Sequence, residues 1–430
     1  MYRKRLPFPA ALCYNKEKRA GEVRALEWEK RGYLKLRLLY GGIQLFYWAG
    51  GSVALGFAVA FLQALGFGNA QAGTVSAFAS LLGCLLMLAV SRRIDRGGAG
   101  AVYRWSWLLV LGQTLALSGI LLLRKQAFAA ALFYTLYLAL TLTLSSTVAK
   151  LYIDLKRGGV PIRFGIARGF GSLGYALTSL SAGFLLARFH PFVLLPAGQG
   201  LFLLMGLLLL PLRRGAPAEE PAAREEMGAP PAVPLGAFLR QSRLFLLLVA
   251  GISLVSAANK TLTTFLVNVV QGVGGNTEDF GAVSGYLALI EVPATFLFVW
   301  LKKRWRLSAL LVASMCFYTL KIAGYTFAGS VTMLLLASSL HAFSTGIFQP
   351  ASVDYVRQII PHEHTGLAQA MMTGGPLLFS FVSTIGFGRL LDGYRVSVTL
   401  SLLLALAALG TALCFFCVRR LRPAEGQTEI

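Results

Sequence analysis

Acidic residues are scarce in this 430-residue chain: 18 Asp and Glu stand against 40 Lys and Arg. With few carboxylates, 4 histidines and 5 scattered cysteines, little is left from which to build a hydrolytic or metal centre. Only Cys414 and Cys417 have CxxC spacing, and they lie in an apolar run without neighbouring His or acidic ligands, so they read as packing residues. His362, Glu363 and His364 share one loop and read as a solvated segment rather than a metal site. No serine-nucleophile, phosphate-loop or paired-carboxylate arrangement occurs. The chain is expected not to be an enzyme and to hold no cofactor and no metal.

Charge of either sign is also rare, 13% of residues, whereas 56% are hydrophobic. A soluble core has no use for that much apolar surface. Apolar runs of about 20 residues, the length that crosses a hydrocarbon core, recur along the sequence. They predict spans at 36–65, 70–91, 101–123, 127–150, 164–188, 191–212, 243–270, 279–301, 307–327, 330–357, 365–391 and 395–418. The long hydrophilic interruption, 213–242, is rich in Pro, Ala and Glu and reads as a loose connector, ending from Leu235 in a short amphipathic stretch suited to a membrane surface. This predicts a basic tail (1–35), a six-helix half (36–212), the connector (213–242), a second six-helix half (243–418) and a short tail (419–430).

A net charge of +22 suggests nucleic acid at first sight. The basic residues, however, flank alternate spans, at Arg92, Arg93 and Arg96, Lys156 and Arg157, Arg213 and Arg214, Lys302 to Arg306, and Arg419 to Arg422. That is a topology signal and excludes a nucleic-acid surface. The positive-inside bias predicts that both termini and the connector face the cytoplasm. The first apolar run is too long for a signal-peptide core, so no cleavage is expected. The basic first 35 residues read as a segment drawn to anionic membrane lipid.

Ionisable residues at membrane depth need a partner or a wet cavity, because each costs about 2.5–3.5 kcal/mol on insertion scales. Glu291 lies near the middle of the eighth span; Lys321 in the ninth and His341 in the tenth complete a charged trio. The trio reads either as a proton-coupling site or as a structural Glu291–Lys321 ion pair with His341 in a packing role. Glycines cluster in the fifth span, Arg163-Phe-Gly-Ile-Ala-Arg168-Gly-Phe-Gly-Ser-Leu-Gly-Tyr175. With no preceding strand, these fit close helix packing and not a nucleotide site.

The loop Ser91-Arg-Arg-Ile-Asp95-Arg96-Gly-Gly98 resembles the signature between the second and third spans of the major facilitator superfamily. Asp95, Arg96 and Gly98 match it, while Ser91 stands for the leading Gly and the trailing basic pair is missing. The stretches 62–73, 163–177 and 340–356 resemble the branch containing lactose permease and the 3-phenylpropionate transporter. The resemblance implies an all-α membrane protein, twelve transmembrane helices in two six-helix bundles with inverted repeats, alternating access and proton symport in a bacterial inner membrane by a monomer. It implies a conformational-switch role for Asp95, Arg96 and Gly98, proton coupling through Glu291 with His341 and Lys321, and solute binding by Arg168, with Tyr175 as an aromatic platform. Ser344 stands where the branch carries a second glutamate after the histidine.

Lys150 stands where the sugar transporter has a carboxylate partner for the arginine. Two cations, joined by Lys260 beside Asn259 on the seventh span, favour an organic or aromatic carboxylate as solute. The competing reading pairs Lys150 with Asp154 at i, i+4 and turns Lys260 outward. Aromatic residues Phe46, Tyr47, Trp48 and Phe348 are candidates to line a pocket, and Asp354 with Arg357 forms a gate or surface pair. Symport of an oligosaccharide or nucleoside, proton-coupled drug efflux, and a non-transporting sensor or scaffold are the alternatives.

Overall fold

The computed structural model describes residues 32–98, 100–215, 242–360 and 364–421. The basic tail, most of the connector with its amphipathic stretch, and His362 with Glu363 lie outside the described residues. Span α1 runs Gly32–Gly56 and, after a 46° bend, continues as Ala58–Ala64. It is followed by α2 (Asn69–Arg96), α3 (Ala101–Leu122), α4 (Ala127–Arg157), α5 (Phe164–Leu186) and α6 (Pro191–Arg214). The second half comprises α7 (Arg243–Thr264, with a short continuation Leu266–Gly272), α8 (Thr277–Leu301), α9 (Leu307–Thr326), α10 (Val331–Ile359), α11 (Thr365–Gly393) and α12 (Val396–Arg420).

Ten of these helices are individually long and apolar enough to cross a membrane, and bent α1 makes an eleventh. Helix α8, 25 residues with Glu291 as its mid-span charge, completes twelve among the described residues. Helices satisfy their own backbone groups, which the absence of water in a bilayer core demands. Asn276 accepts from the Asp279 amide and Asp279 reciprocates on the Asn276 amide, starting α8 with a capping box. Basic residues close the last turns of α2, α4, α6 and α12, where they complement the helix dipole and mark one end of the bundle, called here the basic end.

Helix α4 continues seven residues beyond its expected end at 150, to Arg157. Leu151 and Leu155 remain buried in that extension. The apolar face thus outlasts the lipid-spanning run, and hydropathy alone ends the span too early.

Buried tyrosines tie α1 to α4: Tyr40, Tyr47 and Tyr134 donate to the carbonyls of Val148, Thr141 and Ala54 at 3.1, 3.2 and 2.9 Å. The two halves meet along α5–α8 and α2–α11. Where α5 crosses α8 the backbones nearly touch: a methyl group added at Gly281 would lie 2.9 Å from the Gly183 Cα. Glycine is required there for the approach.

Away from the basic end, polar contacts clasp the halves. The Asp392 carboxylate at the end of α11 accepts from the amides of Asn69 and Ala70, each at 2.9 Å, and so caps the start of α2. The Asn69 side-chain oxygen Oδ1 takes bonds from Gln63 at 3.0 Å and Asn268 at 2.8 Å, joining α1, α2 and the continuation of α7. Arg188 and Glu278 pair at 2.9 Å between the ends of α5 and α8.

Candidate functional site

A cavity of about 160 Å³ lies between the halves, lined from one side by α1 and α5 and from the other by α7, α8 and α10. That is room for several waters or one small polar solute. Its walls bring together Trp48, Arg168, Ser172, Tyr175, Ser284 and Glu291, with His341 at the margin. The lining combines one cation, one carboxylate, hydroxyl groups and aromatic faces.

Arg168 and Glu291 form the ionic centre. The guanidinium donates to Glu291 Oε2 at 3.3 Å across the domain interface and to Ser172 Oγ at 3.0 Å, one turn along its own helix. It also lies 3.9 Å from the centroid of the Trp48 ring, within cation–π range. The Trp48 indole is itself aimed by a relay: its N–H donates to Gln44 at 3.1 Å, and Gln44 donates to Tyr40 at 2.7 Å. The two charged side chains are 22% and 18% exposed, so the pair is neither sealed nor free. Between the exposed and buried limits, such a pair contributes about 1–3 kcal/mol.

Below Tyr175 a row of hydroxyls crosses the interface. Ser52 and Ser179 are 2.8 Å apart, and Ser179 donates to Ser284 at 3.5 Å, linking α1, α5 and α8. Ser52 belongs to a π turn, Ser52–Gly56, immediately before the bend of α1. Such turns re-aim side chains within a helix and are frequent at functional sites. Phe57 and Phe280 meet edge to face at 4.8 Å across the halves, on the clasped side of the cavity.

The expected trio divides. Glu291 turns to Arg168, while Lys321 is 1% exposed and donates to Asn259 and to His341 Nδ1, the latter at 3.1 Å. Thr345 shares His341 Nδ1 at 3.2 Å, and Tyr318 donates to Thr345 at 3.0 Å. The structural Glu291–Lys321 pair is therefore replaced by two clusters, one ionic at the interface and one neutral-partnered within the second half. One guanidinium nitrogen of Arg168 reaches across the interface to Glu291 while the other is held by Ser172 on its own helix, so the carboxylate is drawn there instead of toward its own half.

Lys150 is placed away from the cavity. Its ammonium sits 3.4 Å from both Asp95 and Asp154, near the basic end. The i, i+4 alternative is thus realised and supplemented by Asp95, whose helix packs beside α4. Lys260 is exposed and does not line the cavity; Asn259, one residue earlier, points to Lys321. Asp354 pairs with Lys302 at 2.6 Å and not with Arg357, because α8 and α10 end side by side. In the loop after α2, Gly98 has φ +67°, a left-handed conformation that glycine alone adopts without strain, and Arg96 is exposed.

Of the aromatic candidates, Trp48 lines the cavity, Tyr47 is buried against α4, and Phe348 packs on Tyr318. Ser172, Ser284 and Thr263 of the lining escape sequence reading, because single hydroxyl residues are common on any membrane helix and carry no spacing signal.

The sequence profile of the MFS_1-like family matches residues 33–396. The chain belongs to that family of major facilitator transporters. A Deinococcus radiodurans protein named as a candidate sugar efflux transporter is 26% identical over 220 residues, which is 49% of this chain and 54% of that relative. This transporter thus spans about half the length of that relative in the match. Three solved structures share its fold. A nucleoside transporter, NupG, has a TM-score of 0.66 at 16% identity, covering 90% of this chain and 98% of its own. An auto-inhibited POT-family peptide transporter scores 0.70 at 12% identity, with 93% and 99% covered. The inward-open xylose transporter XylE from E. coli scores 0.64 at 13% identity, with 92% and 98% covered. The family of this chain is one of membrane transporters and not of enzymes, and its apolar helices make the chain a multi-pass membrane protein.

Proposed function

We propose that this transporter is a proton symporter that imports a small polyhydroxylated solute of the sugar or nucleoside class by alternating access. The observation that carries the proposal is the Arg168–Glu291 pair, which lines the cavity and joins the two halves. Protonating Glu291 dissolves the ion pair and frees the guanidinium to donate to solute hydroxyls. Solute on Arg168 leaves the carboxylate without its partner and so favours a proton there. Each ligand thus strengthens the other's binding, and linkage makes that effect reciprocal. Positive coupling is the signature of symport; antiport requires the two to compete.

The solute class follows from the walls. Trp48 and Tyr175 offer aromatic faces, and Ser172, Ser284 and Thr263 offer hydroxyls that donate and accept. The expectation of a carboxylate rests on two cations, and Lys150 is committed to Asp95 and Asp154. A carboxylate solute remains the second reading, supported by the single-pronged 3.3 Å contact of Arg168, which a bidentate anion would improve. The name of the Deinococcus relative agrees with a sugar and, through efflux, argues for the opposite direction.

In this proposal the protein acts as a monomer in a bacterial inner membrane with both ends of the chain inside, as the basic end indicates. The clasp at the other end then makes the described conformation inward-facing. Uptake into proteoliposomes, acidic outside, from a panel of monosaccharides, disaccharides, nucleosides and carboxylates tests it. Protonophore-sensitive uptake of a neutral hydroxylated solute is expected. Uptake of an acid alone would instead establish the second reading, and accumulation driven only by an acidic interior would overturn symport.

A further inference from the structure

A second and larger cavity, about 730 Å³, opens on the side of the bundle between α2 and α4, with α11 at one end. Its walls are Phe78, Leu81 and Leu85 of α2 and Phe128 and Leu132 of α4, all exposed and apolar. Phe78 also meets Phe381 of α11 edge to face at 5.3 Å, so the groove borders both halves. Along α2 the lining runs from Gln71 to Leu85, about 21 Å of helix at 1.5 Å per residue, against about 15 Å for one leaflet of a hydrocarbon core. An acyl chain fits lengthwise.

The mouth has a different chemistry. Arg389, in the last turns of α11, lines it and is exposed, and among the described residues no hydrogen bond or ion pair engages its guanidinium. Gln71 lines the same mouth; its side-chain oxygen already accepts the Gly68 amide at 3.1 Å, which leaves its NH₂ facing outward as a donor. The nearby carboxylate of Asp392 is occupied by the amides of Asn69 and Ala70. The mouth therefore offers donors and a positive charge, while the carboxylate beside it is already engaged by two amides. We propose that this groove binds one anionic phospholipid, its phosphate held by Arg389 and Gln71 and one acyl chain laid along α2 and α4. A zwitterionic lipid would bring its ammonium group up to the Arg389 guanidinium, where the like charges repel. Because the groove is built from both halves, the bound lipid favours the clasped arrangement.

The test is native mass spectrometry of the delipidated full-length transporter titrated with phosphatidylglycerol or phosphatidylcholine of the same acyl chains. Retention of one phosphatidylglycerol, about five-fold better than phosphatidylcholine, is expected, and R389Q should erase the preference. R389K should keep part of it, having the charge without the fork. R395Q, a charge lost near the same end but outside the groove, should leave it intact. Equal retention of the two lipids, an undiminished preference in R389Q, or a dimer whose interface covers the groove would overturn the proposal. None of these readouts depends on the solute or on transport.

Discussion

Arg168 of α5 and Glu291 of α8 lie 3.3 Å apart, one from each half, on the wall of the same cavity. A single ion pair thus sits where the cavity meets the domain interface, which is where the proposed mechanism puts both solute and proton. In alternating access the solute must sense which way the halves are rocked, and a bond between the halves that solute or proton can dissolve supplies that sense.

Two of the three basic residues expected at the solute site, Arg168 and Lys150, should separate cleanly. Arg168→Ala removes charge-assisted donors and is expected to weaken solute binding by about 1.5–3 kcal/mol, roughly 10- to 150-fold. Lys150→Met touches only the Asp95 and Asp154 contacts and should change affinity by less than about two-fold. Isothermal titration of both variants measures this; a loss of affinity in Lys150→Met comparable to that of Arg168→Ala would put Lys150 back at the solute.

Lys321 is expected to matter first for stability. Its ammonium satisfies Asn259 and His341 inside the second half, and Lys321→Leu leaves both without it. His341 keeps Thr345, so the loss falls chiefly on the half-buried Asn259 oxygen, at about 1–3 kcal/mol, and the melting temperature in detergent should fall by a few degrees. A double-mutant cycle with Asn259→Ala should show coupling of about 0.5–3 kcal/mol. Strict additivity would mean that the contact holds nothing together.

Asp392 caps α2 from the opposite half, and Asp392→Asn removes the charge while keeping the shape. With a cap worth about 1 kcal/mol, the clasped population should drop about five-fold relative to the open one. Electron-electron distance measurements between labels at Ala64 and Gln271, both exposed at this end, would report a longer component in the variant. An unchanged distance distribution would show that the glycine-mediated crossing of α5 and α8 suffices to keep that end shut.

Much of the fold was legible because lipid simplifies the code: apolar length marks the spans, and the alternation of basic clusters orders them. Where hydropathy failed, as in the extension of α4 past Lys150, a buried leucine face continued after the lipid-spanning run had ended. Part of the candidate site was legible in its membrane-depth charges, since Glu291, Lys321 and His341 are costly wherever they sit and so announce themselves, whereas Arg168 is singled out by the family resemblance. Which charge pairs with which was not legible. Spacing along one helix says nothing about the rotation of its neighbour, and Glu291 chose Arg168 of the other half over Lys321 of its own. Asp392 was missed for the same reason: its partners are two backbone amides more than three hundred residues away, and amides leave no mark in a sequence.

The most direct test of the account is transport by Glu291→Gln reconstituted in proteoliposomes, with proton-driven accumulation and solute counterflow measured on the same preparation. A permanently neutral side chain should abolish accumulation against a gradient while preserving counterflow, because Arg168 is freed for solute but no proton is bound and released. Accumulation equal to that of the unmodified transporter would contradict the account, and Glu291 would then be a structural partner of Arg168 and nothing more.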